Sequence, residues 1–200
     1  EAAPLRACSV SCEGPIDKER GTVSPLHLAS LTDFELRDRM HELTGLPTVL
    51  STSAQARVVA ERWVGAARGV HDVMLLLLGD TVEAGVVSTG RLLGGGAGNA
   101  GQIGHLIVEP GGAPCVCGAR GCLWAYVSGI ALHQELDRPL RRASAAIVER
   151  TGLMVGRALA SAAAVFDLRL VLLTGSVPAA FGPQFVDAAA RELDQRCRVA

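Results

Sequence analysis

Residues 98–128 read GNAGQIGHLIVEPGGAPCVCGARGCLWAYVS. They hold one histidine and three cysteines, His105, Cys115, Cys117 and Cys122, in the pattern H-x9-C-x-C-x4-C. A Cys3His donor set is one that holds a structural zinc in a closed tetrahedral site. Glycines at 111, 112, 118 and 121 allow the tight turns that a small centre demands. The competing reading is three buried free thiols and an unrelated histidine. Against it, half of the six cysteines fall within eight residues, beside glycines and a proline. A disulfide fits less well. Cys115 and Cys117 are too close for easy mutual pairing, and nothing else marks a secreted chain.

Two hundred residues, 49% of them hydrophobic, can bury a sizeable core in one large domain or two small lobes. A net charge of −1 argues against a broad nucleic-acid or membrane surface. The longest apolar run, Val73 to Leu78, is far too short to span a bilayer, and no signal peptide is visible. Cysteine usage suits a reducing cytoplasm with a metal site.

The same stretch resembles the signature of the ROK family of bacterial sugar kinases and sugar-responsive repressors. That signature runs G-x-x-G-E-I-G-H, then C-x-C-G-x-x-G-C-L-E-x-x-x-S. Here it reads Gly98-Asn-Ala-Gly-Gln-Ile-Gly-His105 and Cys115-Val-Cys-Gly-Ala-Arg-Gly-Cys-Leu-Trp-Ala-Tyr-Val-Ser128. All four metal positions match, whereas Gln102 and Trp124 replace glutamates. The resemblance implies an α/β, actin-like and ribonuclease-H-like fold of two lobes around a cleft. Residues 1–69 would be the remainder of the N-terminal lobe, and 70–200 the C-terminal lobe with the zinc motif. The family's earlier Asp-x-Gly-Gly segment has no match here, so the N-terminal part of the fold, with any DNA-binding domain, is expected outside this chain.

In chain order, residues 5–11 read as a strand, followed by turn-rich residues 13–21. A helix is predicted over 32–44, capped by Thr32 or Asp33 and stopped by Gly45. Residues 48–50 form a short strand, and the helix of STSAQARVVAERW (51–63) follows. The family counterpart of that segment is V-E-N-D-A-N-A-A-A-L-A-E. It puts Thr52 on the sugar-binding asparagine and Ser53 on the catalytic aspartate, the base that takes the proton from the attacking sugar hydroxyl. A serine hydroxyl is a very weak base near neutral pH. The plain reading of Ser51-Thr-Ser is a helix N-cap, which is the better one.

Val73 to Leu78 reads as a buried strand, Gly79 to Gly85 as a turn that holds Asp80 and Glu83, and residues 86–93 as the return strand. The family has a glycine-rich phosphate loop at this turn, where two carboxylates would repel a triphosphate. A helix start is read at 125–135, a long alanine-rich helix over 143–166, a strand over 170–173 and a last helix over 184–196. His27, His41, His71 and His133 have no companions at ligand spacing, and Cys8, Cys12 and Cys197 read as buried thiols.

By resemblance, the substrate-binding positions are Thr52, Ser53, Gln102, His105 and Trp124. The nucleotide positions are Gly79, Thr81, Gly85, Thr174 and Gly175, and the zinc ligands are His105, Cys115, Cys117 and Cys122. Three functions from different classes follow. The favoured one is the sugar-sensing portion of a transcriptional regulator whose kinase site has decayed, binding a small-molecule sugar as a homodimer or tetramer. DNA would be reached only through a domain outside this chain. The alternatives are an ATP- and magnesium-dependent, glucokinase-like hexose kinase, and a zinc-stabilised scaffold without ligand.

Overall fold

The computed structural model describes residues 4–197, so the first and last three residues of the two expected lobes lie outside the described residues. Three sheets organise the chain. Strands β1 (Cys8–Cys12) and β4 (Thr48–Thr52) pair in parallel. Between them lie a minimal hairpin, β2 (Ile16–Asp17) and β3 (Thr22–Val23), and helix α1 (Leu36–Thr44). Helix α2 (Ser53–Val64) leads into a four-stranded sheet. Its order is β7 (Arg91–Leu92), β6 (Val82–Ser88), β5 (Val73–Leu78) and β8 (Leu170–Thr174). β5 runs antiparallel to β6 and parallel to β8.

Every residue of β5 is buried, because both sheet faces are covered. Met74, Leu76 and Leu78 face one core with α3 (Trp124–Val127), α4 (Gly129–Leu136), α5 (Ala145–Phe166), α6 (Ser176–Phe181) and α7 (Pro183–Arg196). Val73, Leu75 and Leu77 face the other core with Ala54 and Val58 of α2. This two-sided burial explains a continuous apolar run in place of alternation. Among the described residues, no helix is long and apolar enough to cross a membrane.

Caps set several boundaries. Thr52 Oγ1 accepts from the Gln55 amide at 3.3 Å and starts α2, as the Ser51-Thr-Ser reading expects. Gly45, at φ 67°, ends α1. The start of α1 is later than expected, however. Neither Thr32 nor Asp33 caps it, and the N-cap is Glu35 without a side-chain bond. Phe34 instead exchanges backbone hydrogen bonds with Val23, both at 3.0 Å, and this isolated bridge follows a short 3-10 turn over Ala29–Leu31. The helix expected over 125–135 divides at Ser128, whose hydroxyl caps α4. Cys8, Cys12 and Cys197 are only partly buried, not enclosed as expected, since the first two sit on an edge strand and the third follows the last helix.

The hairpin after β5 also departs from expectation. The turn is only residues 79–81, and β6 already starts at Val82. Asp80 is therefore exposed at the turn, while Glu83 and Gly85 belong to the strand and face α2. The long apolar partner strand decides this. Leu78 pairs with Val82 and Leu75 with Gly85, so the ladder closes as tightly as the chain allows. A Cβ on Gly85 would lie 2.2 Å from the Ala54 carbonyl oxygen, whereas one on Gly79 meets nothing within 4 Å. Overpacking costs about 1–3 kcal/mol, toward the upper end when the obstacle is backbone. Gly85→Val should lower stability by about that amount, while Gly79→Ala should cost less than about 1 kcal/mol. Urea unfolding of both variants measures the difference.

Candidate functional site

Two features share the residues between β6 and α3. The first is the donor cluster. The donor atoms of His105, Cys115, Cys117 and Cys122 all lie within 4.8 Å of one another. Cys115 Sγ is 3.6 Å from His105 Nδ1, and Cys117 Sγ is 3.8 Å from Cys122 Sγ. A tetrahedral zinc, with Zn–S near 2.3 Å and Zn–N near 2.0 Å, sets such pairs about 3.5 Å and about 3.8 Å apart. The donor set and its spacing therefore fit that ion.

The thiols differ in environment. Burial pushes Cys122 up to about 12, with the other two thiols adding to the effect. Burial also raises Cys115. For Cys117 burial acts upward too, but the Ala119 amide and the neighbouring thiols outweigh it and the net shift is down. Burial lowers His105, which favours the neutral ring that a metal ligand requires.

Little regular structure holds this loop. Cys115 N donates to Ala119 O at 2.9 Å, Gly121 N to Ala113 O at 2.8 Å, and Leu123 N to Leu106 O at 2.8 Å. Arg157 of α5 anchors it from below, donating to Val108 O at 3.2 Å, to the Glu109 carboxylate, and to Glu192 Oε1 of α7 at 3.1 Å. Burial would raise Glu192, yet Arg196 and Arg157 together hold its carboxyl below the usual range.

The second feature is a narrow cleft beside the cluster. It is lined by Gly14, Leu26, His27, Thr81, Val82, Glu83, Gln102, His105, Val116 and Trp124. His105 thus serves both features: its Nδ1 faces Cys115, which leaves Nε2 as the ring nitrogen available to a ligand. Of the five expected substrate positions, Gln102, His105 and Trp124 line this cleft. Trp124 is only 7% exposed and belongs to the main core. Thr52 is buried with its hydroxyl engaged in the cap, its methyl 3.5 Å from where a Cβ on Gly14 would lie, and Ser53 is the first helical residue of α2.

Glu83 is the group that the sequence reading misplaced. It is 3% exposed, and its Oε1 accepts from the Gly14 amide at 2.6 Å. Burial raises its carboxyl, the Gly14 and Ala54 amides lower it, Glu13 raises it, and the net shift is upward. Gly14 is the meeting point of the cleft wall. A Cβ there would come within 2.6 Å of Gln102 Nε2 and 3.4 Å of Glu83 Oε1.

Other contributors carried no sequence signal. His27 lines the cleft, and its Nε2 lies 3.2 Å from Glu13 Oε2. Asn99 grips Ile16 with both ends of its amide, accepting from the amide N–H at 2.7 Å and donating to the carbonyl at 2.5 Å. Gln55 Nε2 donates to Gly98 O at 2.9 Å. A lone histidine, asparagine or glutamine in sequence says nothing about such distant partners.

The expected nucleotide positions divide. Gly79 and Thr81 form the turn after β5, while Thr174 ends β8 and Gly175 follows it at φ 116°. Leu77 pairs with Thr174, and a Cβ on Gly175 would lie 2.2 Å from Leu78 O, so these two turns lie side by side at the carboxyl ends of parallel strands. Ligands of open α/β sheets bind at such ends. Gly85 is not with them, being packed under α2 in mid-strand.

A sequence profile described as the ROK family matches residues 2–198. A glucokinase of Thermotoga maritima is 36% identical over 150 residues, covering 74% of this chain and 46% of that protein. The chain thus spans about half the length of the curated relatives it matches. A crystal structure of a ROK hexokinase from Thermus thermophilus superposes with TM-score 0.82 at 32% identity, covering 96% of this chain and 69% of that one. A ROK family transcriptional regulator, a homologue of the E. coli MLC protein, gives TM-score 0.80 at 21% identity over 96% of this chain and 55% of its own.

The buried position of Glu83 has a stability consequence. A carboxyl whose folded pKa is raised destabilises the folded state once pH passes the unfolded value near 4.3, and the loss is complete above the folded value. Glu83→Gln keeps an acceptor for Gly14 and removes the charge. Its Tm should therefore match or exceed that of the wild type at pH 7, and the advantage should vanish below about pH 4. Thermal melts at both pH values decide the sign.

Proposed function

Because this chain belongs to the ROK family and shares its actin-like α/β fold, we propose that it binds a sugar of the hexose class in this cleft without transferring a phosphoryl group to it. That is the role of the effector portion of a sugar-responsive regulator. The observation that carries the reading is Ser53 at the first position of α2, where the family resemblance calls for an aspartate base. General-base catalysis typically contributes about 10²- to 10⁴-fold, and a neutral hydroxyl cannot supply it.

The phosphate side adds support. Asp80 is exposed at the turn where a triphosphate would need backbone donors without competing charge. In this reading Gln102 and the free nitrogen of His105 hydrogen-bond sugar hydroxyls, and the edge of Trp124 offers an apolar wall. In this reading the chain divides near Gly69 into two lobes about the cleft. His105, Cys115, Cys117 and Cys122 hold one structural zinc, which closes the loop that carries His105, Val116 and Trp124. An active ATP-dependent hexose kinase is the second reading, favoured by the 36% identity to a glucokinase.

Two measurements test these statements. Elemental analysis should give about one zinc per chain, and Cys117→Ser should release it and lower Tm, because binding energy is also folding energy. A well-folded, metal-free protein overturns the zinc assignment. A coupled ATP-to-ADP assay on the full-length protein, with hexoses and N-acetylated amino sugars, should show no sugar-dependent turnover while calorimetry shows sugar binding. Turnover near one per second, ordinary for kinases, overturns the non-kinase reading in favour of the second.

A further inference from the structure

We propose that Glu83 is the carboxylate that receives a ligand hydroxyl in this cleft, in the place that Ser53 leaves without one, and that it selects neutral sugars against phosphorylated ones. The proposal rests on the sugar-binding reading and adds a residue and a ligand class to it. Glu83 and Gly85 share one face of β6, and Gly85 abuts the Ala54 carbonyl, so Glu83 sits over the first turn of α2. Ser53 opens that same turn. The positive end of a helix suits a carboxylate whether it comes from the helix itself or from a facing strand.

One oxygen has a structural task and the other has none. Oε1 accepts from Gly14, and the Ala54 amide also acts on the carboxylate. Oε2 is buried without a hydrogen-bond partner, and no Lys, Arg or His among the described residues lies within ion-pair distance of it. A carboxylate shielded from water in this way is costly to keep unless something completes its bonding. Glu83 borders the cleft together with Gln102 and His105, so a hydroxyl entering there supplies the missing partner. Glu13, paired with His27 at the cleft wall, adds a second negative group nearby. A phosphate entering the cleft meets both charges, whereas a neutral polyol meets an acceptor.

The test is calorimetry on the full-length protein with D-glucose and N-acetyl-D-mannosamine, each against its 6-phosphate, for wild type, Glu83→Gln and Glu83→Asp. Wild type should bind a neutral sugar at least about tenfold more tightly than its 6-phosphate. Glu83→Gln should weaken neutral-sugar binding by about tenfold and narrow the gap to the phosphate, without lowering Tm. Glu83→Asp should fall between them. Unchanged affinity and an unchanged gap in a folded Glu83→Gln variant would make Glu83 merely structural. That outcome overturns this assignment and leaves the sugar reading standing. Equal or tighter binding of the 6-phosphate by wild type overturns the assignment even if no variant folds. Absence of binding to either neutral sugar overturns this assignment and the sugar-binding reading together.

Discussion

Four donor atoms drawn within 4.8 Å of one another set the shape of everything around the cleft. The loop that bears them has scarcely any ladder of its own, only isolated bridges such as Ile107 to Cys122 and Pro114 to Arg120. A segment of this kind has too few backbone bonds to offset the entropy of ordering it. A common centre held by those donors would offset it at one point, and the same loop brings His105, Val116 and Trp124 to the cleft. Arg157 then ties the loop to α5 and α7 through Glu109, Glu192 and the Val108 carbonyl. A clustered donor set, isolated bridges and ion pairs thus stand where the loop lacks regular secondary structure.

The electrostatics of the cleft follow from a redistribution of acidic groups. Residue 53 carries no charge, while Asp80 and Glu83 introduce two. Those two act differently because the hairpin is tight. Asp80 stays in water, where its charge is screened, and Glu83 is pulled under α2, where it is not. A buried carboxylate held by backbone amides and facing a narrow cleft is a strong acceptor for hydroxyls and a poor neighbour for phosphate. Accepting a neutral hydroxyl and stabilising a phosphate therefore make opposite demands on such a carboxylate.

Residues far apart in sequence bring the cleft walls together. Asn99 holds Ile16 at both backbone groups, and Gln55 holds the Gly98 carbonyl, so the glycine-rich segment is fastened to β2 and to α2. A Cβ on Gly14 would lie 2.6 Å from Gln102 Nε2 and would push that amide from its place. These are short-range steric and hydrogen-bond requirements, and each places a side chain of the cleft by fixing its backbone.

Much of this was legible in the chain itself. The H-x9-C-x-C-x4-C spacing announced the donor cluster, the apolar run 73–78 announced the central strand, and Ser51-Thr-Ser announced a cap. Local chemistry suffices for these, because ligand spacing, continuous burial and capping act over a few residues. The role of Glu83 was not legible, nor were those of His27, Asn99 and Gln55. A seven-residue turn and a three-residue turn are compatible with the same letters between Gly79 and Gly85, and only the pairing of β6 with β5 chose the shorter one. That choice moved Glu83 from water to the buried face beside α2. Strand register is decided by the summed burial of a whole ladder, so no local pattern carries it.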